Sequence, residues 1–245
     1  MTGHVFLVGA GPGDPGLMTV KGMEILRSAE VVVYDALANP IFLKECPDAE
    51  LIDAGKRSSN HKMSQSDINS LLVSLGKEGK KVVRLKGGDP FLFGRGAEEA
   101  LALREAGVGV SVVPGVSSSI AVPELAGIPI THRDHSPMVT FMTGHEMDNK
   151  SSNTDWKRLA EGMGTIVILM GMSNADAISR SLIEGGMPPD TYVSITVSGS
   201  MEKERTVVTS ISKLGSSIEE QKLEAPGIIV IGNVVSERSK LGDMK

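Results

Sequence analysis

The feature that most constrains this chain is where its glycines fall. Glycine-bearing turns at residues 9–16, 55, 87–88 and 115 each follow directly on a short apolar run. Such runs read as buried strands, and glycine behind them lets the backbone reach positive φ or approach another group closely. Polar side chains flank each turn, so the turns read as walls of a ligand crevice at strand carboxyl ends rather than as simple connections. The scale of the glycine usage supports this: 245 residues hold 28 glycines, against one Trp, two Tyr and five Phe.

The elements between these turns predict the fold. His4–Val8, Glu30–Tyr34, a segment from Leu51-Ile52, Lys81–Leu85 and Val108–Val113 read as strands. They alternate with helical patterns over Thr19–Ala29, with Thr19 as cap, over Ser64–Leu75, with a Ser64-x-x-Asp67 capping box, and over Ala97–Glu105. This alternation predicts an α/β unit with a mostly parallel sheet and helices on both faces. After Pro114-Gly115 the pattern changes, so the chain is divided into an N-terminal α/β domain, 1–114, and a C-terminal one, 115–245. Ser117–Leu125 reads as a helix, Gly127–Pro137 as a polar loop. Longer, less regularly separated strands follow at Val139–Thr143, Thr165–Met170, Tyr192–Val197, Thr206–Val208 and Ile228–Ile231. Thr206–Val208 leaves no room for a crossover helix, which predicts an antiparallel hairpin and a mixed sheet.

Composition excludes several classes. A net charge of −5 without Lys/Arg blocks gives no footprint for nucleic acid. No apolar run approaches the ~18 residues of a membrane span, and the N-terminus does not read as a signal peptide. Cys46 stands alone, and no Cys/His set has zinc spacing, so no metal site is expected and the reading is a reduced, cytoplasmic enzyme. The turn at Gly9–Asp14 fails the dinucleotide fingerprint, since Asp14 stands at its third glycine and Pro12 and Pro15 lack N–H donors. The Gly-Lys pairs at 55–56, 76–77 and 79–80 are not P-loops, and Gly115–Ser119 lacks the closing glycine of a hydrolase elbow. His132 and His135 with Asp134 read as a polar loop at a substrate.

Taken together, the turn sequences carry a resemblance. Val8-Gly-Ala-Gly-Pro-Gly-Asp-Pro15 with Leu17-x-Thr19 resembles the opening motif of the tetrapyrrole methyltransferase superfamily, which uses S-adenosylmethionine without a Rossmann motif. Val32–Asp35, Gly55-Lys56-Arg57, Val82–Gly96, Val113–Ser118, Gly127–Arg133 and Val139–His145 extend it over nearly the whole chain and resemble the branch that C-methylates uroporphyrinogen III. The resemblance implies two α/β domains with the active site in the cleft between them, and a homodimer. It implies two methyl transfers, to C2 and C7, giving precorrin-2, a precursor of sirohaem, cobalamin-type corrinoids and coenzyme F430. Carried over by motif, the S-adenosylmethionine contacts are Pro12, Gly87, Gly88, Asp89, Leu92, Ser117, Ser118, Met170 and Gly199, the proton acceptor Asp35 and the proton donor Lys56. Ser117 replaces the family's usual Thr, Leu169-Met170 lacks a preceding aromatic, and Val197–Ser200 replaces a usual Glu-Asn-Gly-Thr.

The residues themselves bear on this chemistry. Methyl transfer from a sulfonium is an in-line displacement, in which alignment supplies much of the rate. The pyrrole N–H proton must eventually leave, and a partly buried carboxylate such as Asp35 suits that task. Read without the resemblance, Asp35 is first a helix N-cap before Asn39–Lys44, Lys56 a surface lysine and Met170 a core residue, whereas Asp89 reads as an acceptor for an amine or hydroxyl ahead of a plain Asp-Pro turn. A substrate with eight carboxylates requires local cations in an acidic chain. Arg57, His61, Arg84, His132 and Arg133 are expected to meet it, with Lys86 and Arg95 nearby in the sequence.

Overall fold

The computed structural model describes residues 3–55, 63–145, 154–162 and 164–245. The chain divides into two compact units, residues 1–117 and 118–245, the division falling just beyond Pro114-Gly115.

In the first unit, β1 (His4–Gly9), β2 (Val31–Tyr34), β3 (Glu50–Asp53), β4 (Lys81–Lys86) and β5 (Gly109–Val113) form one sheet in the order β3-β2-β4-β1-β5. Every neighbouring pair is parallel. Three helices, α1 (Val20–Arg27), α2 (Gln65–Lys77) and α3 (Gly96–Glu105), join the strands. Successive strand residues point to opposite faces, so each apolar strand feeds two cores. Val5, Leu7, Val31, Val33 and Val82 pack under α2 and α3 with Ile68, Leu72 and Leu103. Val8, Val32, Val83 and Leu85 pack on the other face, with Leu26 of α1 and Phe42 of a short 3-10 helix, Pro40–Glu45. Helices start where polar side chains satisfy free N–H groups: Thr19 Oγ1 accepts from Gly22 N at 3.1 Å, and Ser64 and Asp67 form a reciprocal capping box. The 3-10 helix is capped by Asn39, whose side chain accepts from Ile41 N, rather than by Asp35.

The second unit is a mixed sheet of β6 (Val139–Thr143), β7 (Thr165–Leu169), β8 (Tyr192–Val197), β9 (Arg205–Ser210) and β10 (Gly227–Ile231), in the order β6-β7-β10-β8-β9. β6 and β7 are parallel; β7–β10, β10–β8 and the β8–β9 hairpin are antiparallel. These strands are five or six residues long, no longer than β1 or β4, because helices the sequence reading did not assign occupy the intervals. After α4 (Ser118–Leu125) come α5 (Trp156–Glu161), α6 (Ala175–Glu184), α7 (Leu214–Glu220) and α8 (Arg238–Leu241). Ile178 and Leu182 of α6, one turn apart, seal one face of the sheet with Ile168, Ile195 and Ile229. Val122 and Ala126 seal the other, against Val167 and Val230. Cys46 is buried. No helix among the described residues is long and apolar enough to cross a membrane.

Candidate active site

β4 carries the main departure from an apolar core. Its residues 82, 84 and 86 share the face covered by α2 and α3, so Arg84 and Lys86 are driven into the interior beside Val82. Two cations on a central buried strand require carboxylates. Glu99, in the first turn of α3, supplies one: its Oε1 accepts from Arg84 Nε at 3.1 Å, Lys86 Nζ at 3.0 Å and Gln65 Nε2 at 3.2 Å. Asp35, the residue after β2, supplies the other. Arg84 Nη2 pairs with Asp35 Oδ1, while Lys86 Nζ stands 3.6 Å from Oδ2. Arg84 also donates to the Val33 carbonyl at 3.4 Å, and Asp35 N donates to Leu85 O at 3.2 Å, extending the β2–β4 pairing past the strand end.

The result is a neutral quartet of two cations and two carboxylates with a graded exposure. The side chains of Glu99, Arg84 and Lys86 are 0 %, 1 % and 4 % exposed, and that of Asp35 is 31 % exposed. Asp35 is therefore the member that reaches the surface, steadied from beneath by two cations rather than lodged among apolar groups. Arg84 departs from its expected place at a substrate carboxylate, because its guanidinium is spent inside the unit on Asp35, Glu99 and a backbone carbonyl. Glu99 and Gln65 were not singled out from sequence. The available signal was a pair of cations two residues apart in an otherwise apolar strand, which demands an unseen buried partner.

The glycines at the sheet's carboxyl end have a more specific role than expected. A Cβ on Gly9 would lie 2.6 Å from Gly115 Cα and 2.7 Å from Gly88 O; one on Gly115 would lie 2.3 Å from Gly88 O. Gly11 and Gly88 exchange backbone hydrogen bonds, 3.2 and 2.7 Å. The chains leaving β1, β4 and β5 thus press on each other, and the close approach is backbone to backbone. Asp89 locks the same junction: Oδ1 accepts from Phe91 N at 2.8 Å and Leu92 N at 3.0 Å, and Oδ2 accepts from Gly115 N at 3.1 Å. It forms the Asp-Pro turn, with a lone pair to spare on Oδ2. Beyond it, Phe93 and Arg95 hold left-handed backbone, φ 53 and 57. Asn39 Nδ2 donates to Gly13 O at 2.8 Å, tying the turn after Pro12 to the segment after β2.

In the second unit most candidate residues sit on loops. Met170, directly after β7, has φ 54 and is half exposed. Gly199 lies between Ser198 and Ser200, at φ 51 and 63, and a Cβ there would meet Val122 at 2.4 Å. Ser118 opens α4, immediately after the buried Ser117 of the first unit. His132 Nδ1 accepts from Asp134 N at 3.2 Å, its ring lies 4.8 Å from that of His135, and Arg133 between them is exposed. His135 Nε2 contacts Glu237 Oε1 at 2.6 Å, which also accepts from Lys240 Nζ at 2.7 Å. The hydrogen bonds from Lys240 and then His135 hold the Glu237 carboxyl down to about 2. No group of three metal-ligating side chains occurs among the described residues. Lys56, Arg57 and His61 lie outside the described residues.

Comparison with known proteins gives this geometry a class. The chain belongs to the tetrapyrrole (corrin/porphyrin) methylases, whose family model matches residues 4–215. Within that family it is 47% identical over 245 residues to the S-adenosyl-L-methionine-dependent uroporphyrinogen III methyltransferase of Methanosarcina barkeri, covering 99% of this chain and 96% of that one. It is 44% identical over 241 residues to the siroheme synthase of Hahella chejuensis, covering 98% of this chain and about half, 51%, of that longer protein. Among solved structures it superimposes on a uroporphyrin-III C-methyltransferase from Thermus thermophilus complexed with S-adenyl homocysteine, with TM-score 0.81, 36% identity, and coverage of 96% and 99%.

Proposed function

We propose that this chain transfers methyl groups from S-adenosylmethionine to C2 and C7 of uroporphyrinogen III, giving precorrin-2. The observation that carries the reading is similarity along the whole length, 47% identity over 99% of this chain, to a relative named for methylating uroporphyrinogen III.

The residues present fit the methyl donor by their chemistry. Asp89 keeps acceptor capacity for an amine or a ribose hydroxyl beyond the three backbone N–H groups it already serves. Pro12, Gly87, Gly88, Leu92 and Ser117 belong with it in this reading. In the second unit, Ser118 offers a hydroxyl, Gly199 a side-chain-free surface, and the half-exposed Met170 an apolar one suited to adenine. When bound, S-adenosylmethionine supplies the electrophilic methyl.

This chain's own residues then align and deprotonate. Asp35, oriented by Arg84 and Lys86, accepts the pyrrole N–H proton as the ring carbon is methylated. Lys56 stands in this reading as the residue that matches the family's proton donor by motif. Arg133, exposed beside His132, pairs with substrate carboxylates together with Arg57 and His61, while Arg84 serves by holding Asp35. The same reading makes the protein cytoplasmic and a homodimer, and sedimentation of the purified chain tests the dimer.

The decisive experiment is anaerobic incubation of pure protein with labelled S-adenosylmethionine and uroporphyrinogen III. A dimethylated product with two equivalents of S-adenosylhomocysteine is expected. A folded protein that binds S-adenosylmethionine and forms no such product overturns the reading.

A further inference from the structure

We propose that Glu99, wholly buried, is a positioning residue that keeps one oxygen of Asp35 open for the substrate proton. The inference rests on the proposed role of Asp35 as proton acceptor.

The strand geometry delivers two cations to one place. Arg84 and Lys86 lie on the same face of β4, and the only other carboxylate they form ion pairs with among the described residues is Glu99, while Glu98 acts on Lys86 only at longer range. Glu99 divides them. Lys86 Nζ is 3.0 Å from Glu99 Oε1 but 3.6 Å from Asp35 Oδ2, beyond a good hydrogen bond. Arg84 gives its Nε edge to Glu99 and only its tip to Asp35 Oδ1. Asp35 Oδ2 is thus left with room to accept a proton, on the more exposed side of the quartet. With a neutral side chain at position 99, two positive charges would face a single carboxylate, and short-range attraction would draw Lys86 onto Oδ2.

Glu99 is built for this task. Its place in the first turn of α3 puts negative charge at the favourable end of the helix dipole, and Gln65 of α2 fixes Oε1 from the far side. Its Oε2 is buried with no partner among the described residues. A group so costly to bury is a poor device for stability, since apolar residues of similar volume often serve as well or better. The charge is worth keeping where the orientation of a neighbour depends on it.

The test compares Glu99→Gln, Glu99→Asp and Asp35→Asn, with rates normalised to titrated S-adenosylmethionine sites. Gln preserves shape and loses charge; Asp preserves charge and loses length. Positioning by charge predicts that Glu99→Gln lowers kcat about 10- to 100-fold, with KM for both substrates within about twofold, and that Glu99→Asp retains the higher kcat. A merely structural role predicts the opposite order, with the shortened Asp variant worse, and that order overturns the proposal. Wild-type kcat in Glu99→Gln also overturns it. If Glu99→Gln does not fold, Glu99→Asp decides alone: kcat within about threefold of wild type with unchanged KM supports positioning, and a larger loss overturns it. Asp35→Asn separates the two claims. An active Asp35→Asn variant overturns the role of Asp35 and this inference with it; an inactive one beside a fully active Glu99→Gln overturns the positioning alone.

Discussion

The two units solve one local problem in different ways. In both, the chain must turn sharply on leaving a strand. In the first unit it does so by removing side chains, as Gly9, Gly88 and Gly115 press backbone against backbone. The second uses one such glycine pair, Gly144 against Gly171, but directly after β7 and β8 it keeps side chains and accepts left-handed backbone at Met170, Ser198 and Ser200. A left-handed non-glycine residue costs about 1 kcal/mol or more, so its side chain is retained for a reason other than the turn. Three individual cations differ as well. Arg84 and Lys86 of the first unit are buried and neutralised internally, whereas Arg133 of the second is exposed and available to an anionic ligand.

This contrast can be broken experimentally. Gly115→Ala should do the most damage, because its Cβ meets a carbonyl oxygen that cannot rotate away. A loss of about 3 kcal/mol in the calorimetric unfolding of the protein is expected, at the upper end for overpacking. Arg133→Glu should raise KM for the tetrapyrrole about tenfold, the scale of a charged hydrogen bond, with S-adenosylmethionine affinity unchanged. An equal fall in S-adenosylmethionine affinity would assign Arg133 to the wrong ligand. Met170→Gly sharpens the comparison further: it should stabilise the fold by up to about 1 kcal/mol while weakening S-adenosylmethionine binding about fivefold by calorimetric titration. Stabilisation without weaker binding would leave the left-handed Met170 with no ligand to justify it.

The smallest expected effect concerns pH. Glu237 titrates at about 2 against an ordinary 4.5, chiefly through the Lys240 hydrogen bond and then that of His135. A depressed carboxyl pKa stabilises the folded state above its unfolded value, and that contribution drains away as pH falls from 4.5 through about 2. Lys240→Met should therefore move acid unfolding, followed by circular dichroism, to a slightly higher pH. An unchanged acid transition would show that this ion-pair network does not contribute.

Much of the fold was legible in the chain, and the reason is local. β1, β2 and β4 declare themselves by short apolar runs, and α1 and α2 by the caps Thr19 and Ser64 with Asp67, all within a few residues of one another. Helices α5 to α8 are less legible, because they lie between strands of similar apolar content; in α6 the i, i+4 pair of Ile178 with Leu182 is the signal that marks the helix. In the candidate site, Asp35 and Asp89 were found through long motifs, yet what holds each was not. The Asp35–Arg84 pair spans 49 positions and the Asp89–Gly115 bond 26, separations that no local pattern records.

By itself, then, the sequence determined the alternation of elements, the glycine turns behind the strands and the membership of a methyltransferase family. Period-two and period-3.6 patterns, turn chemistry and contiguous motifs are all short-range properties. Only the tertiary structure decided that the glycines interlock with each other, that Arg84 pairs with Asp35 inside the first unit, and that Glu99 completes the charge balance. Those outcomes depend on which strands become neighbours in the order β3-β2-β4-β1-β5, and buried charge finds its partner through that neighbourhood alone.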